Sequence, residues 1–266
     1  MSQPLIPPPG KPFDLSRFDP RYDGGLDKEA SKAELARLAV RIDELQNTLY
    51  AAKSHAVLIV TQGIDTSGKD GLVKDVFQVT GPIGCSVVSF GVPTAEELAH
   101  DYLWRYRKEM PRRGNIVVFN RSYYESVLVE RVKGIAPEKV WTRRYGEIND
   151  LERFLIDNGT VILKFFLHIS KDEQRERLQE RVDNPKKHWK FNLGDLEERK
   201  LWDDYQAAFQ DMVAHCNTEI APWHVVPADR NWYRNLVVAQ AIVAKLESLD
   251  LKYPLSTDDL TGVKVV

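Results

Sequence analysis

The chain has 266 residues, 43% of them hydrophobic, enough for one large α/β domain with a well-buried core and too few for two comfortable ones. Its formal net charge of -2 gives no global attraction for nucleic acid or anionic lipid, so a polyanion must be gripped by local clusters of Lys and Arg. The two cysteines, Cys85 and Cys216, cannot form a disulfide framework and show no metal-site spacing; with a Pro-rich start lacking an apolar signal core, they predict a soluble, reduced, cytoplasmic protein.

Residues 1–26, rich in Pro, Gly and Asp, predict a loosely ordered, extended N-terminal arm lying over the surface. Leu35, Leu38, Ile42, Leu45 and Leu49 then recur every three or four positions among charges, which predicts one amphipathic helix over 28–53. AVLIVTQ (56–62) is a continuous β-branched run of the kind buried on both faces of a parallel sheet. CSVVSF (85–90), NIVVFN (115–120), TVILKFFLHI (160–169) and WHVVPA (223–228) follow, each separated by helix-length segments. Such alternation predicts a three-layer α/β sandwich built on a five-stranded parallel sheet. The charged helical stretch 170–218 is broken by DNPKKHWKFNLGD (183–195), where Pro185 and Gly194 punctuate it, and suggests a mobile lid over about 177–200. A last helix over about 231–248 and a polar tail, 251–266, complete a single domain spanning 27–250. No apolar run is long enough to span a membrane.

The stretch GIDTSGKDG (63–71) follows the first buried strand directly and precedes a helix, the context a phosphate-binding loop needs. Gly63, Gly68 and Gly71 would let backbone N–H groups close around phosphate oxygens, with Thr66, Ser67 and Asp70 completing the candidate phosphate-binding set. Lys69, expected to be a solvent-facing loop lysine, would add charge; a tight turn with a solvated lysine is the bland alternative. Asp70 breaks the pattern, since it stands where a Ser or Thr hydroxyl usually holds magnesium. Asp65 is the better metal ligand, because magnesium at phosphates commonly uses one or two carboxylates plus waters.

NIVVFNRSYYE ends a strand at the sheet's carboxyl edge, placing Asn120 where a second metal-organising carboxylate is often found. Arg121 beside it could contact a transferring phosphate, or simply cap the strand end. In the lid, Arg177, Arg181, Lys186, Lys187 and Lys190 supply a run of cations, although Glu176, Glu180 and Asp183 also fit a solvated face. The six histidines show no metal-ligand spacing. Trp104, Tyr123, Tyr124, Trp189 and Trp202 could flank a base or pack in the core and lid.

GIDTSGKDG, FNRSYYE and RVDNPKKHWKF together resemble the polyphosphate kinase 2 family, as does FGVPTAEELAHDYLWR (90–105), so the similarity runs over about residues 30–250. The resemblance implies magnesium-dependent, reversible transfer of the terminal phosphoryl of inorganic polyphosphate to a nucleotide, on a thymidylate-kinase-like phosphate-loop fold with a helical lid. It assigns Asp65 to magnesium, and Lys69, Arg121 and the lid cations to phosphates. Asn120, where many members carry Asp, and Glu125 resemble the class III members that phosphorylate both mono- and diphosphates, AMP and ADP among them. A donor of repeating phosphates also needs no adenosine pocket, which would relax the demand at Asp70. The expected partners are polyphosphate, nucleotides and a second copy of the chain in a homo-oligomer. An ATP-dependent nucleoside monophosphate kinase and a non-catalytic nucleotide or polyphosphate sensor are the alternatives.

Overall fold

The computed structural model describes residues 6–11 and 13–265; residues 1–5, 12 and 266, which belong to the expected arm and tail, lie outside the described residues. After a 3-10 turn, Leu15–Arg17, the elements run α1 (Lys28–Ala52), β1 (Ala56–Gln62), α2 (Lys69–Val76), β2 (Cys85–Ser89), α3 (Ala95–Leu98), α4 (Trp104–Arg107) and β3 (Ile116–Asn120). They continue through α5 (Val129–Val132), α6 (Glu138–Asp157), β4 (Thr160–His168), α7 (Lys171–Asp183), α8 (Gly194–Lys200), α9 (Trp202–Cys216), β5 (Trp223–Pro227) and α10 (Asn231–Glu247). The five strands form one sheet in the order β2-β3-β1-β4-β5, and every pair is parallel.

The fold follows from where the apolar residues fall. All seven residues of β1 are buried, as a central strand covered by helices on both faces requires. Helix α1 starts at an N-cap, Asp27, whose carboxylate accepts from Ala30 N at 2.8 Å, and ends at Lys53 in the left-handed region (φ 50°). Its Leu35, Leu38, Ile42, Leu45 and Leu49 are buried as the periodicity predicts, and the helix packs along α10. By contrast β2 is an edge strand with one side open, and Val87 is 46% exposed.

Beneath the sheet lies a fully enclosed polar network. Lys164 on β4 donates to Glu152 Oε2 at 2.7 Å, to the Tyr124 hydroxyl at 3.0 Å and to the Cys216 carbonyl at 2.7 Å. Tyr123 and Tyr124 both donate to Glu152 Oε1, at 2.9 and 2.8 Å. These tyrosines are therefore core residues, and burial beside Glu152 pushes both hydroxyl pKa values well up.

From β1 the chain goes to one side through β2 and β3 and then crosses to the other side for β4 and β5. The loops after β1 and β3 thus flank a topological switch point, where a crevice opens at the strands' carboxyl ends. Among the described residues no helix is long and apolar enough to cross a membrane.

Candidate active site

The loop after β1 is built around backbone conformations that most residues avoid. Gly68 sits at φ 92°, and a Cβ there would lie 1.9 Å from Arg234 Nη1. Thr66 (φ 65°) and Arg121 (φ 64°), both non-glycine, also occupy the left-handed region. Such strain costs on the order of 1–3 kcal/mol per residue and clusters at functional sites.

Lys69 is not the solvent-facing lysine expected. It is buried at the start of α2 and folds back over its own loop, donating to Gly63 O at 2.7 Å and Ile64 O at 3.3 Å. Burial pushes its pKa down to about 8; the Arg121 charge acts in the same direction, and Asp65, Glu125 and Asp70 oppose it. Asn120, the last residue of β3, donates from Nδ2 to Asp70 Oδ1 at 2.7 Å. The residue that breaks the loop pattern is thus oriented by the residue that departs from the usual Asp. Glu125 lies in the 3-10 turn Tyr123–Ser126, where desolvation raises its carboxyl pKa against the pull of Arg121 and Lys69.

The segment expected to act as a lid packs against this loop. Arg181 on α7 donates from Nη1 to Asp65 Oδ2 at 3.0 Å, and also to Lys190 O at 3.1 Å. Arg177, one turn earlier, spends most of its guanidinium on the protein: Nε on Glu173, Nη1 on Thr66 O at 2.8 Å, Nη2 on Ala228 O at 2.7 Å and Asp229 O at 3.0 Å. Lys187 pairs with Glu180, and Lys190 lies 4.9 Å from the ring centroid of Trp189, which is 79% exposed.

These groups line one cleft of about 380 Å³. Of the residues expected from the sequence it brings together Asp65, Thr66, Gly68, Lys69, Asp70, Gly71, Asn120, Arg121, Arg177, Arg181, Lys187 and Lys190, while Gly63, Ser67 and Glu125 stand outside its lining. Trp202 is buried in the core and Trp104 stacks on His100, at 4.0 Å between centroids, so neither faces the cleft.

One lining residue was not expected. Arg234 on α10 is 1% exposed, and donates to Ser67 O at 3.2 Å and to Asn231 Oδ1 at 2.7 Å. Desolvation, with Arg177 nearby, lowers its pKa to about 9, so it stays charged at neutral pH. The one charged residue among the mostly apolar buried positions of α10 is the sequence signal that could have found it. With Arg234 included, seven cations face four carboxylates across the cleft, in a chain whose net charge is negative.

Comparison with known proteins agrees with this geometry. The family model for polyphosphate kinase 2 matches residues 25–254. The AMP/ADP-polyphosphate phosphotransferase of Meiothermus ruber is 53% identical over 253 residues, 94% of each chain. The ADP-polyphosphate phosphotransferase of Rhodopseudomonas palustris is 44% identical, over 93% of this chain and 90% of that one. The crystal structure of polyphosphate kinase 2 from Arthrobacter aurescens TC1 superposes with a TM-score of 0.92 at 40% identity, covering 98% of this chain and 97% of the other. A family match across nearly all of the folded region, with full-length relatives on both measures, leaves one conclusion: the chain belongs to the polyphosphate kinase 2 family.

Proposed function

We propose that the protein transfers the terminal phosphoryl group of inorganic polyphosphate to AMP and ADP, reversibly and with magnesium. The observation that carries this reading is the excess of cations in the cleft, which continues from the phosphate loop to the lid tip. A repeating anion can be held by such a run of cations. The name of the 53% identical relative, an AMP/ADP-polyphosphate phosphotransferase, supports the same pair of acceptors.

The residues fit magnesium held mostly by substrate. No cluster of three metal-ligating side chains occurs among the described residues, yet Asp65 presents a partly exposed carboxylate to the cleft, and one carboxylate with phosphates and waters is a common magnesium set. Held by Asp65, the ion would supply positive charge against that of the phosphates. In this reading Lys69 and Arg121 hold the transferring phosphoryl group, and Arg181 turns from Asp65 to the donor. The closed lid excludes water from a loose transition state that needs no covalent enzyme intermediate. The two free cysteines suit a reduced, cytoplasmic setting, and we expect a homo-oligomer.

Purified protein incubated with magnesium, AMP and polyphosphate, without ATP, should yield ADP and then ATP on nucleotide separation. Phosphorylation only when ATP is added would favour a monophosphate kinase, and binding without turnover a sensor.

Two substitutions test the residue roles. Asp65→Asn should raise the magnesium concentration needed for half-maximal rate steeply, since the ligand loses its charge and keeps its shape; Asp70→Asn should do less, because Asp70 is already committed to Asn120. Equal magnesium titrations for the two would remove Asp65 as the principal ligand. Asn120→Asp would set two carboxylates at the 2.7 Å separation now bridged by an N–H···O bond. That arrangement must bind a cation, take up a proton or move apart. Since AMP and ADP bring different negative charge, the ratio of their kcat/KM values should shift by at least roughly tenfold, about 1.4 kcal/mol. Equal scaling of both activities would exclude Asn120 from acceptor choice.

A further inference from the structure

The loop after β5 meets the start of α7, Arg177 and the N-terminal segment. We propose that Asp229 is a positioning residue that ties the root of the lid, the phosphate loop and the N-terminal arm into one unit.

Its carboxylate is nearly enclosed, with 6% of the side chain exposed. Oδ1 accepts from Ser170 N at 2.8 Å and Oδ2 from Ser170 Oγ at 2.7 Å. Ser170 is the N-cap of α7, and its Oγ in turn accepts from Glu173 N at 3.1 Å. Asp229 therefore fixes the residue at which the lid leaves the sheet. Its backbone does a second job: Arg177 donates to the carbonyls of Ala228 and Asp229 and, with its other Nη, to Thr66 O in the phosphate loop. Thr66 is one of the two strained non-glycine residues of the site, so its left-handed backbone is held from outside the loop.

The arm reaches the same residue. Asp229 N donates to Pro20 O at 3.1 Å, and Arg21 lies 3.6 Å from Asp229 Oδ2 and 3.5 Å from Asp172 on the lid helix. Asp23 pairs with Arg230 next door. The exposed arginine contacts are individually weak, whereas the enclosed carboxylate with its two charge-assisted bonds is the strong member. Asp229 does not line the cleft, so its effect on chemistry must pass through Ser170, Arg177 and the lid.

The placement of Asp229 stands on its own contacts; only the donor kinetics below rest on the proposed polyphosphate reaction. The test compares full-length Asp229→Ala, Asp229→Asn and Ser170→Ala by hydrogen exchange and steady-state kinetics. In Asp229→Ala, amide exchange across 171–183 should accelerate at least about tenfold relative to 160–168. The KM for polyphosphate should rise at least about fivefold while that for AMP stays within about twofold, a split that uniform loss of folded protein cannot give. Asp229→Asn keeps an acceptor for Ser170 N and should recover most of the difference, and Ser170→Ala should move the same quantities less. Faster lid exchange with an unchanged polyphosphate KM would support the positioning role and remove the lid from donor binding. Unchanged lid exchange in folded Asp229→Ala, or in both other variants should that one fail to fold, would overturn the proposal.

Discussion

Lys69→Ala should lower kcat/KM for phosphoryl transfer by more than about a hundredfold, because it deletes the ammonium that the phosphate loop folds around itself. The fold should survive. The alanine leaves the Gly63 carbonyl without its donor but also removes a buried charge, so thermal stability should change by no more than about 1–3 kcal/mol. The same group predicts the pH profile. Burial lowers its pKa from 10.5 to about 8, so in the free enzyme the charged form is fully present below that pH and is lost above it. The kcat/KM for polyphosphate should fall through an alkaline limb near pH 8, and the limb of kcat should lie higher because bound phosphates favour the ammonium. Near-normal turnover by a folded Lys69→Ala protein would reduce GIDTSGKDG to a structural turn.

The largest effect on stability should come from far outside the cleft. Glu152→Ala would strand the Lys164 ammonium in a site where the two side chains are 1% and 0% exposed, and would also take the acceptor from two buried tyrosines. Breaking such a buried pair costs about 3–5 kcal/mol. For a chain of this size that is roughly a 10 °C drop in the melting temperature. Glu152→Gln, which keeps an acceptor oxygen, should cost less, and replacing both partners by Leu and Met should recover part of the loss. A melting temperature within about 2 °C of the parent for Glu152→Ala would mean that solvent reaches the network and relieves the charge.

Much of this architecture was legible in the residues. Each of the five apolar runs became a strand, with β1 matching its run and the others ending within one residue; the central strands read clearly because a parallel sheet covered on both faces leaves them as uninterrupted apolar stretches. The loop was legible because its parts are contiguous. Arg234 and Asp229 were not, since nothing near them in sequence shows that their partners are Ser67, 167 positions away, and Ser170, 59 away. Lys69 misled for a different reason: a charged residue in a Gly-rich loop reads as exposed, and only the folded loop shows carbonyls turned inward to receive it. Arg177 and Arg181 lie on one helical face and read as equivalent cations, yet one is bound largely to backbone carbonyls and the other to Asp65.

The ion pair between Asp65 and Arg181 gives the resting cleft a counter-ion of its own. On the proposed function, an approaching polyanion would meet at Asp65 a carboxylate already neutralised by Arg181. Were a metal held at Asp65, as proposed above, it would supply the carboxylate with a positive partner in place of Arg181, whose guanidinium would then be free for the donor's phosphates. On that proposal Arg181 would pass from one counter-ion to another, and neither partly buried charge of the pair would be left bare.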